Sequence, residues 1–226
     1  MKIIWSLLAI IITAFLGLQQ AQAAPISCDL ARTQAMSVKD VLDLTRLVCA
    51  NPSQDPDEHV DDIAMETHLT ADKNLVYQYS KNCYRPINAV LYSPVNADRK
   101  AVLLTQQLDR ALCDFTEYDG ITYRGLNLNP ETLEKYMKAT DITPPAFTST
   151  SKKLHIACGF TENTLLKIRS KHGREIENLS NHWDEAEVLF RLNTKFKIIS
   201  ATHGFRAKID SGCKKAAYYI ELEEID

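Results

Sequence analysis

The amino-acid sequence predicts an α+β protein, and three observations carry that expectation. From Ser37 to about residue 116, apolar residues recur at helical spacing. After Gly120 the chain turns to short runs of β-branched and aromatic residues, so a mainly helical half precedes a mainly β half. The 226 residues open on a segment that reads as a leader, and removing it leaves roughly 200, enough for one domain that buries about 70% of its extended surface.

The leader comes first. Met1-Lys2 precedes an apolar run from Ile3 to Leu18, followed by Gln19-Gln20-Ala21-Gln22-Ala23-Ala24. A short basic start, an apolar core and a small-x-small end describe a secretory signal peptide over residues 1–24, cut after Ala23 or Ala24. The run is near the lower length limit for a membrane-spanning anchor, but the Ala-Gln-Ala ending favours cleavage. The acidic stretch Glu221 to Asp226 lacks the apolar tail of a lipid-anchor signal. The expectation is therefore a secreted, extracellular, monomeric domain over residues 25–226 with no stable membrane anchor.

Cleavage would remove one lysine and no acid, taking the net charge from −3 to −4. That balance offers no broad attraction for nucleic acid or anionic lipid. The six cysteines (Cys28, Cys49, Cys83, Cys113, Cys158 and Cys213) all follow the leader, and in an exported chain they are expected to form three disulfides in one of 15 pairings. No Cys-x-x-Cys or His-x-x-x-His spacing supports a metal centre, so no metal is expected. Neither a Gly-x-Gly-x-x-Gly nor a P-loop is written here, and there is no Gly-x-Ser-x-Gly elbow.

Ser37 is a plausible N-cap for a helix running to about Val48. Asn51 to Asp62, acidic with two prolines, reads as an exposed loop. Leu75-Val76-x-x-Tyr79 begins another helical stripe, Ile87 to Tyr92 gives a short one, and Asp98 to Phe115 the clearest. Val102, Leu104, Leu108, Ala111, Leu112 and Phe115 should form the buried side of that last helix. Asn129-Pro130 starts one more, with Asn129 as cap and Pro130 at its first position. Strands are expected at Ile121–Arg124, Ala146–Ser151, Thr164–Ile168, Glu187–Phe190, Phe196–Ile199 and Ala217–Leu222.

Three groups could carry chemistry. Arg124 sits inside a β-prone run, where a guanidinium fork suits phosphate oxygens or a structural carboxylate. Ser149 and Ser151 share one side of the hydroxyl-rich strand, where either could orient a carboxylate; an ordinary polar edge is the alternative. Glu185 and Glu187 stand two apart, so in an extended chain both would face one cavity. Such a pair can divide labour between stabilising positive charge on a sugar ring and handling an attacking group. Glu-x-Glu occurs three times in the chain, so the pair by itself could equally be a solvated edge.

Taken in order, Tyr123-Arg124-Gly125, Ser149-Thr150-Ser151 and Glu185-Ala186-Glu187-Val188-Leu189-Phe190 resemble the signature of the arginine-specific mono-ADP-ribosyltransferase family, which includes animal ecto-enzymes and bacterial toxins. The resemblance covers about residues 70 to 223. It implies an ADP-ribosyltransferase fold, with a helical subdomain packed on a two-sheet, antiparallel-rich β core and an NAD cleft between them. It implies NAD as co-substrate and an arginine of an acceptor protein as target. Arg124, with Tyr123 and Gly125, would hold NAD; Ser149 would orient the catalytic carboxylate. Glu187 would bond the nicotinamide ribose and stabilise the oxocarbenium-like centre, and Glu185 would activate the acceptor guanidinium. NAD glycohydrolase, or an inactive secreted binding module on the same fold, are the alternatives. By the same resemblance Cys213 should pair with Cys28 or Cys49. Arg191 departs from the apolar residue or proline common after the signature.

Overall fold

In the computed structural model, which describes residues 28, 35–49, 69–94, 97–180 and 183–225, the helical half begins where Ser37 Oγ accepts the amide of Asp40 at 3.2 Å. That cap starts α1, Val38–Cys49. The leader and the acidic loop read from Asn51 to Asp62 lie outside the described residues. Thr70 caps α2, Ala71–Gln78, which runs into a π-helical turn, Tyr79–Cys83, and then α3, Tyr84–Tyr92. Asp98 caps α4, Arg99–Ala111. Of the apolar side expected there, Leu104, Leu108, Ala111 and Leu112 are fully buried, while Val102 and Phe115 are only partly covered.

The β half contains β1, Glu117–Leu126; α5, Pro130–Lys138; β2, Asp141–Ile142; and β3, Thr148–Ser151. It continues with α6, Leu154–Phe160; β4, Thr164–Glu175; β5, Glu187–Phe190; and β6, Lys195–His203. It ends with α7, Phe205–Ser211, and β7, Tyr218–Ile225. The Asn-Pro start of α5 behaves as its sequence dictates, with Asn129 Oδ1 accepting the Thr132 amide at 2.8 Å. The helices α6 and α7 were not expected. At seven residues each they are too short to display a helical repeat.

The strands hydrogen-bond in the order β1-β3-β5-β4-β7-β6-β2, and β1 also pairs with β4. The ring β1-β3-β5-β4 therefore closes on itself, barrel-like, and joins the β4-β7-β6-β2 sheet through β4. Every pairing is antiparallel except β4 with β7.

One apolar cluster sets where the halves meet, and a second lies wholly within the β half. The helical core gathers Val41, Leu75, Val76, Ile87, Leu104, Leu108 and Leu112, and it takes in Phe147, Ile176 and Leu189 from the β half. Phe147 meets Tyr79 edge-on with ring centroids 5.6 Å apart. On the far side, Leu166, Ile168, Phe190, Phe196, Ile220 and Leu222 pack together, with Tyr136 and Met137 of α5 laid against them. Burial of each such side chain is worth about 1.5–3 kcal/mol, so these two clusters hold the sheet's two faces.

Arg191 has a structural explanation. Its Nη2 donates to Asp109 Oδ2 at 2.6 Å and its Nε to the Asp109 carbonyl at 3.0 Å, while Asp109 Oδ1 accepts the Leu192 amide. The next residue, Arg110, pairs with Asp72 of α2. Two adjacent residues near the end of α4 thus tie it to the end of β5 on one side and to α2 on the other.

All six cysteines are paired, as Cys28–Cys113, Cys49–Cys83 and Cys158–Cys213. The expectation that Cys213 would reach Cys28 or Cys49 is corrected. Cys158, Cys213 and Ala207 share a third apolar cluster that includes Leu165 of β4 and Tyr123 of β1, so α6 delivers Cys158 to Cys213, two residues beyond the end of α7. Cys28 and Cys49 close on the helical half instead.

Candidate active site

A cavity of about 400 Å³ opens between the helical half and the β half. Arg124, Tyr123 and Gly125 of β1, Ser149 of β3, and both Glu185 and Glu187 line it. Ser151 lines it too, so all seven residues singled out in the sequence converge on one site.

β3 runs between β1 and β5, with Tyr123 opposite Ser151 and Ser151 opposite Glu187. That register aims the hydroxyls. Ser149 Oγ donates to Glu187 Oε1 at 2.5 Å. Thr150 Oγ1 donates to the Val188 carbonyl, and Ser151 Oγ to the Glu185 carbonyl at 2.5 Å. The two serines thus do different jobs: Ser149 holds a carboxylate, and Ser151 holds the backbone of the preceding turn. Glu187 is only 6% exposed, and a carboxylate so far from water is tolerable only when donors replace the water. Its second oxygen, Oε2, accepts from Ser180 Oγ at 3.0 Å.

The two glutamates reach the cavity by a route the sequence did not foretell. The chain is not extended between them. Glu185 ends a short 3₁₀ turn, Trp183–Glu185, and Glu187 opens β5; between them Ala186 has φ of 48°. The left-handed region costs a residue with a Cβ roughly 1–2 kcal/mol. Ala186 is buried, the Ser151 hydroxyl grips the carbonyl before it and the Lys152 amide donates to its own carbonyl at 3.0 Å, so the kink is held from both sides.

Arg124 Nη1 donates to the Ser149 carbonyl at 2.7 Å, and no carboxylate pairs with Arg124 among the described residues. The structural ion pair considered for it is absent there. Its partner is a carbonyl, which leaves further guanidinium donors at the cavity.

The opposite wall was missed. Tyr79 and Ser80 of the π-helical turn and Tyr84 and Asn88 of α3 line the cavity. Burial pushes the Tyr79 phenol far above its ordinary pKa, with the Asn88 hydrogen bond and the nearby Arg124 charge pulling the other way, so it remains a neutral hydroxyl. The only available signal was the π-helical turn, a frequent device at functional sites, and it is not legible from hydrophobic spacing. Asn88 Nδ2 donates to Tyr79 Oη, while Asn88 Oδ1 is buried without a partner. An orphaned acceptor on a residue that lines the cavity fits a bound molecule rich in hydroxyl and amide donors, as a dinucleotide is. Among the described residues no group of His, Cys, Asp and Glu is arranged to hold a metal.

Gly125 is where α6 crosses β1. A Cβ there would collide with the Ala157 carbonyl oxygen and lie 2.5 Å from the Thr161 amide nitrogen, both backbone atoms that cannot rotate away. Ala157 and Phe160 of α6 also line the cavity, so this close approach sets the position of one wall. Gly125→Ala is expected to cost about 1–3 kcal/mol, the usual range for overpacking. Urea denaturation measures it, and unchanged stability would mean that α6 shifts freely.

A family model described as NAD:arginine ADP-ribosyltransferase matches residues 71–212, more than half of the chain. The chain belongs to that family. It is 30% identical over 138 residues to the NAD(+)–protein-arginine ADP-ribosyltransferase Tre1 of Serratia proteamaculans, covering 60% of this chain and 30% of Tre1. To Vis of Vibrio splendidus it is 29% identical over 133 residues, covering 54% of this chain and 53% of Vis. The chain thus spans at most about half the length of these relatives. Among solved structures, Vis in complex with agmatine aligns with a TM-score of 0.57 at 22% identity, covering 87% of this chain and 90% of that one. Exoenzyme S of Pseudomonas aeruginosa, bound to carba-NAD and a human 14-3-3 protein, gives 0.59 at 16%, covering 82% and 88%. These likenesses establish the ADP-ribosyltransferase fold.

Proposed function

We propose that the protein transfers ADP-ribose from NAD to an arginine guanidinium of an acceptor protein, releasing nicotinamide. One observation carries the reading: a buried carboxylate, Glu187, gripped by serine hydroxyls on both oxygens, shares a cavity with a second carboxylate and with a guanidinium that no carboxylate among the described residues claims.

Arg124 bonds the diphosphate through its remaining donors, and Tyr123, Gly125 and Ser149 line the dinucleotide's path. As the C–N glycosidic bond breaks, the electron pair leaves with nicotinamide, which already carries the positive charge and needs no general acid. Positive charge builds on the ribose carbon, and Glu187 stabilises it while bonding the 2′-hydroxyl. A nitrogen of the acceptor guanidinium then bonds to that carbon and gives up its proton to Glu185. Incubation with NAD and agmatine tests this: ADP-ribosyl-agmatine and nicotinamide should form in equal amounts. Nicotinamide without the adduct would make the protein an NAD glycohydrolase, and neither product would leave it a binding module.

Arg124→Lys is expected to weaken NAD binding on the order of 10-fold or more, because an ammonium cannot reproduce the planar fork that spans the Ser149 carbonyl and a phosphate together. Isothermal titration with NAD measures this, and equal affinity would return Arg124 to a purely structural role. The reading further includes export. Residues 1–24 serve as a cleaved leader and residues 25–226 act outside the producing cell, a reading supported by the three disulfides.

A further inference from the structure

We infer that Ser180 is a second positioning residue for Glu187, fixing the plane of its carboxylate from behind the cavity; the inference rests on the functional reading above. Ser149 alone reaches only Oε1. A carboxylate held by one oxygen can still turn about its last side-chain bond, since that torsion is broad and nearly two-fold. Ser180 Oγ reaches the other oxygen at 3.0 Å, and with both oxygens taken the carboxylate has one orientation. Ser180 itself is 7% exposed and is not among the residues lining the cavity, so it acts through Glu187 rather than on the ligand.

The surrounding chain explains how a residue seven positions before Glu187 comes to face it. β4 pairs with β5 through Arg174 and Glu175, and one residue further the Ile176 amide donates to the Glu187 carbonyl at 3.2 Å. The chain then turns, with the Leu179 and Ser180 amides both donating to the Ile176 carbonyl, at 2.9 and 2.8 Å. Ile176 is therefore bonded to Glu187 by its amide and to Ser180 by its carbonyl, which brings the hydroxyl to the carboxylate. Lys152, directly after β3, pairs with Glu175 at 3.2 Å and Glu177 at 2.8 Å, so the turn is also pinned to the strand that carries Ser149. Both hydroxyls that grip Glu187 are thus referenced to one frame, which is what pre-organisation of a charge-stabilising group requires.

Ser180→Ala is expected to lower kcat for nicotinamide release about tenfold, the size of one hydrogen bond to a charged group, with KM for NAD within about twofold. Transfer to agmatine should fall by the same factor, because the loss precedes the choice of acceptor. The melting temperature checks that the fold is intact. A second readout needs no activity: the side-chain carboxyl ¹³C signal of Glu187, assigned by its loss in Glu187→Gln, should move in Ser180→Ala at a fixed pH where the carboxyl is ionised. Wild-type kcat in Ser180→Ala, or an unmoved carboxyl signal, would overturn the assignment. If wild-type protein released no nicotinamide, the functional reading would fail while the carboxyl signal still decided whether Ser180 holds Glu187.

Discussion

Glu187→Gln is expected to reduce both ADP-ribose transfer and NAD hydrolysis on the order of 100- to 1000-fold, the usual loss when one pre-placed electrostatic contact to a transition state is removed. The substitution keeps the length and most of the hydrogen bonding of the side chain. One of Ser149 and Ser180 can still donate to the amide oxygen while the other's hydroxyl accepts from the amide nitrogen, so the fold around β3 and β5 should persist. What disappears is the negative charge facing the ribose carbon. Because that charge acts on the bond-breaking step, acceptor identity should not matter. Nicotinamide release measured with and without agmatine should collapse equally, and near-normal release would show that Glu187 is not the charge that drives the reaction.

Glu185→Gln is expected to separate the two outcomes. Transfer to agmatine should fall by roughly 100-fold or more, the lower end of what a positioned proton acceptor contributes. Slow hydrolysis by water should survive near the wild-type rate, since Glu187 and its serines remain in place. Glu185 is partly exposed and ends a turn, where an incoming protein side chain can reach it. The measurement is the ratio of ADP-ribosyl-agmatine to free ADP-ribose, for wild type and variant. Full transfer in Glu185→Gln would remove the division of labour between the carboxylates, and glycohydrolase would become the better account of the cavity.

The sequence made the β side of this site legible because its information is local. Val188-Leu189-Phe190 is an apolar run whose strand assignment, Glu187–Phe190, matches residue for residue, and the alternation in Ser149-Thr150-Ser151 is a period-two pattern that survives folding. The helical side was not legible. Tyr79 sits on a stripe that looks like core, and much of it is core, packed on Phe147; that it also borders a cavity depends on which half it is pressed against. Nor could Ser180 be found, since its distance from Glu187 is set by a turn and a strand pairing rather than by spacing in the chain. The expectation of an extended Glu185–Glu187 pair reached the right cavity by the wrong backbone, because a positive φ at an alanine has no signature in composition. The cysteine pairing failed for a related reason: it needed the position of α6 and α7, two helices too short to announce themselves.

The left-handed residue at Ala186 divides the chain mechanically. Glu187 inherits the stiffness of β5, bonded to β3 on one side and to β4 on the other. Glu185, two residues away, belongs to a turn tethered by the Ser151 hydroxyl at the Glu185 carbonyl and the Lys153 ammonium at the Asp184 carbonyl. Insertions or substitutions in that turn need not propagate into the strand, since the kink absorbs the change of direction before the ladder begins. On the proposed function, the carboxylate that would face the breaking glycosidic bond and the one that would meet the acceptor stand on separate pieces of backbone joined at one alanine, so changes in the acceptor-facing turn would leave the bond-breaking geometry in place.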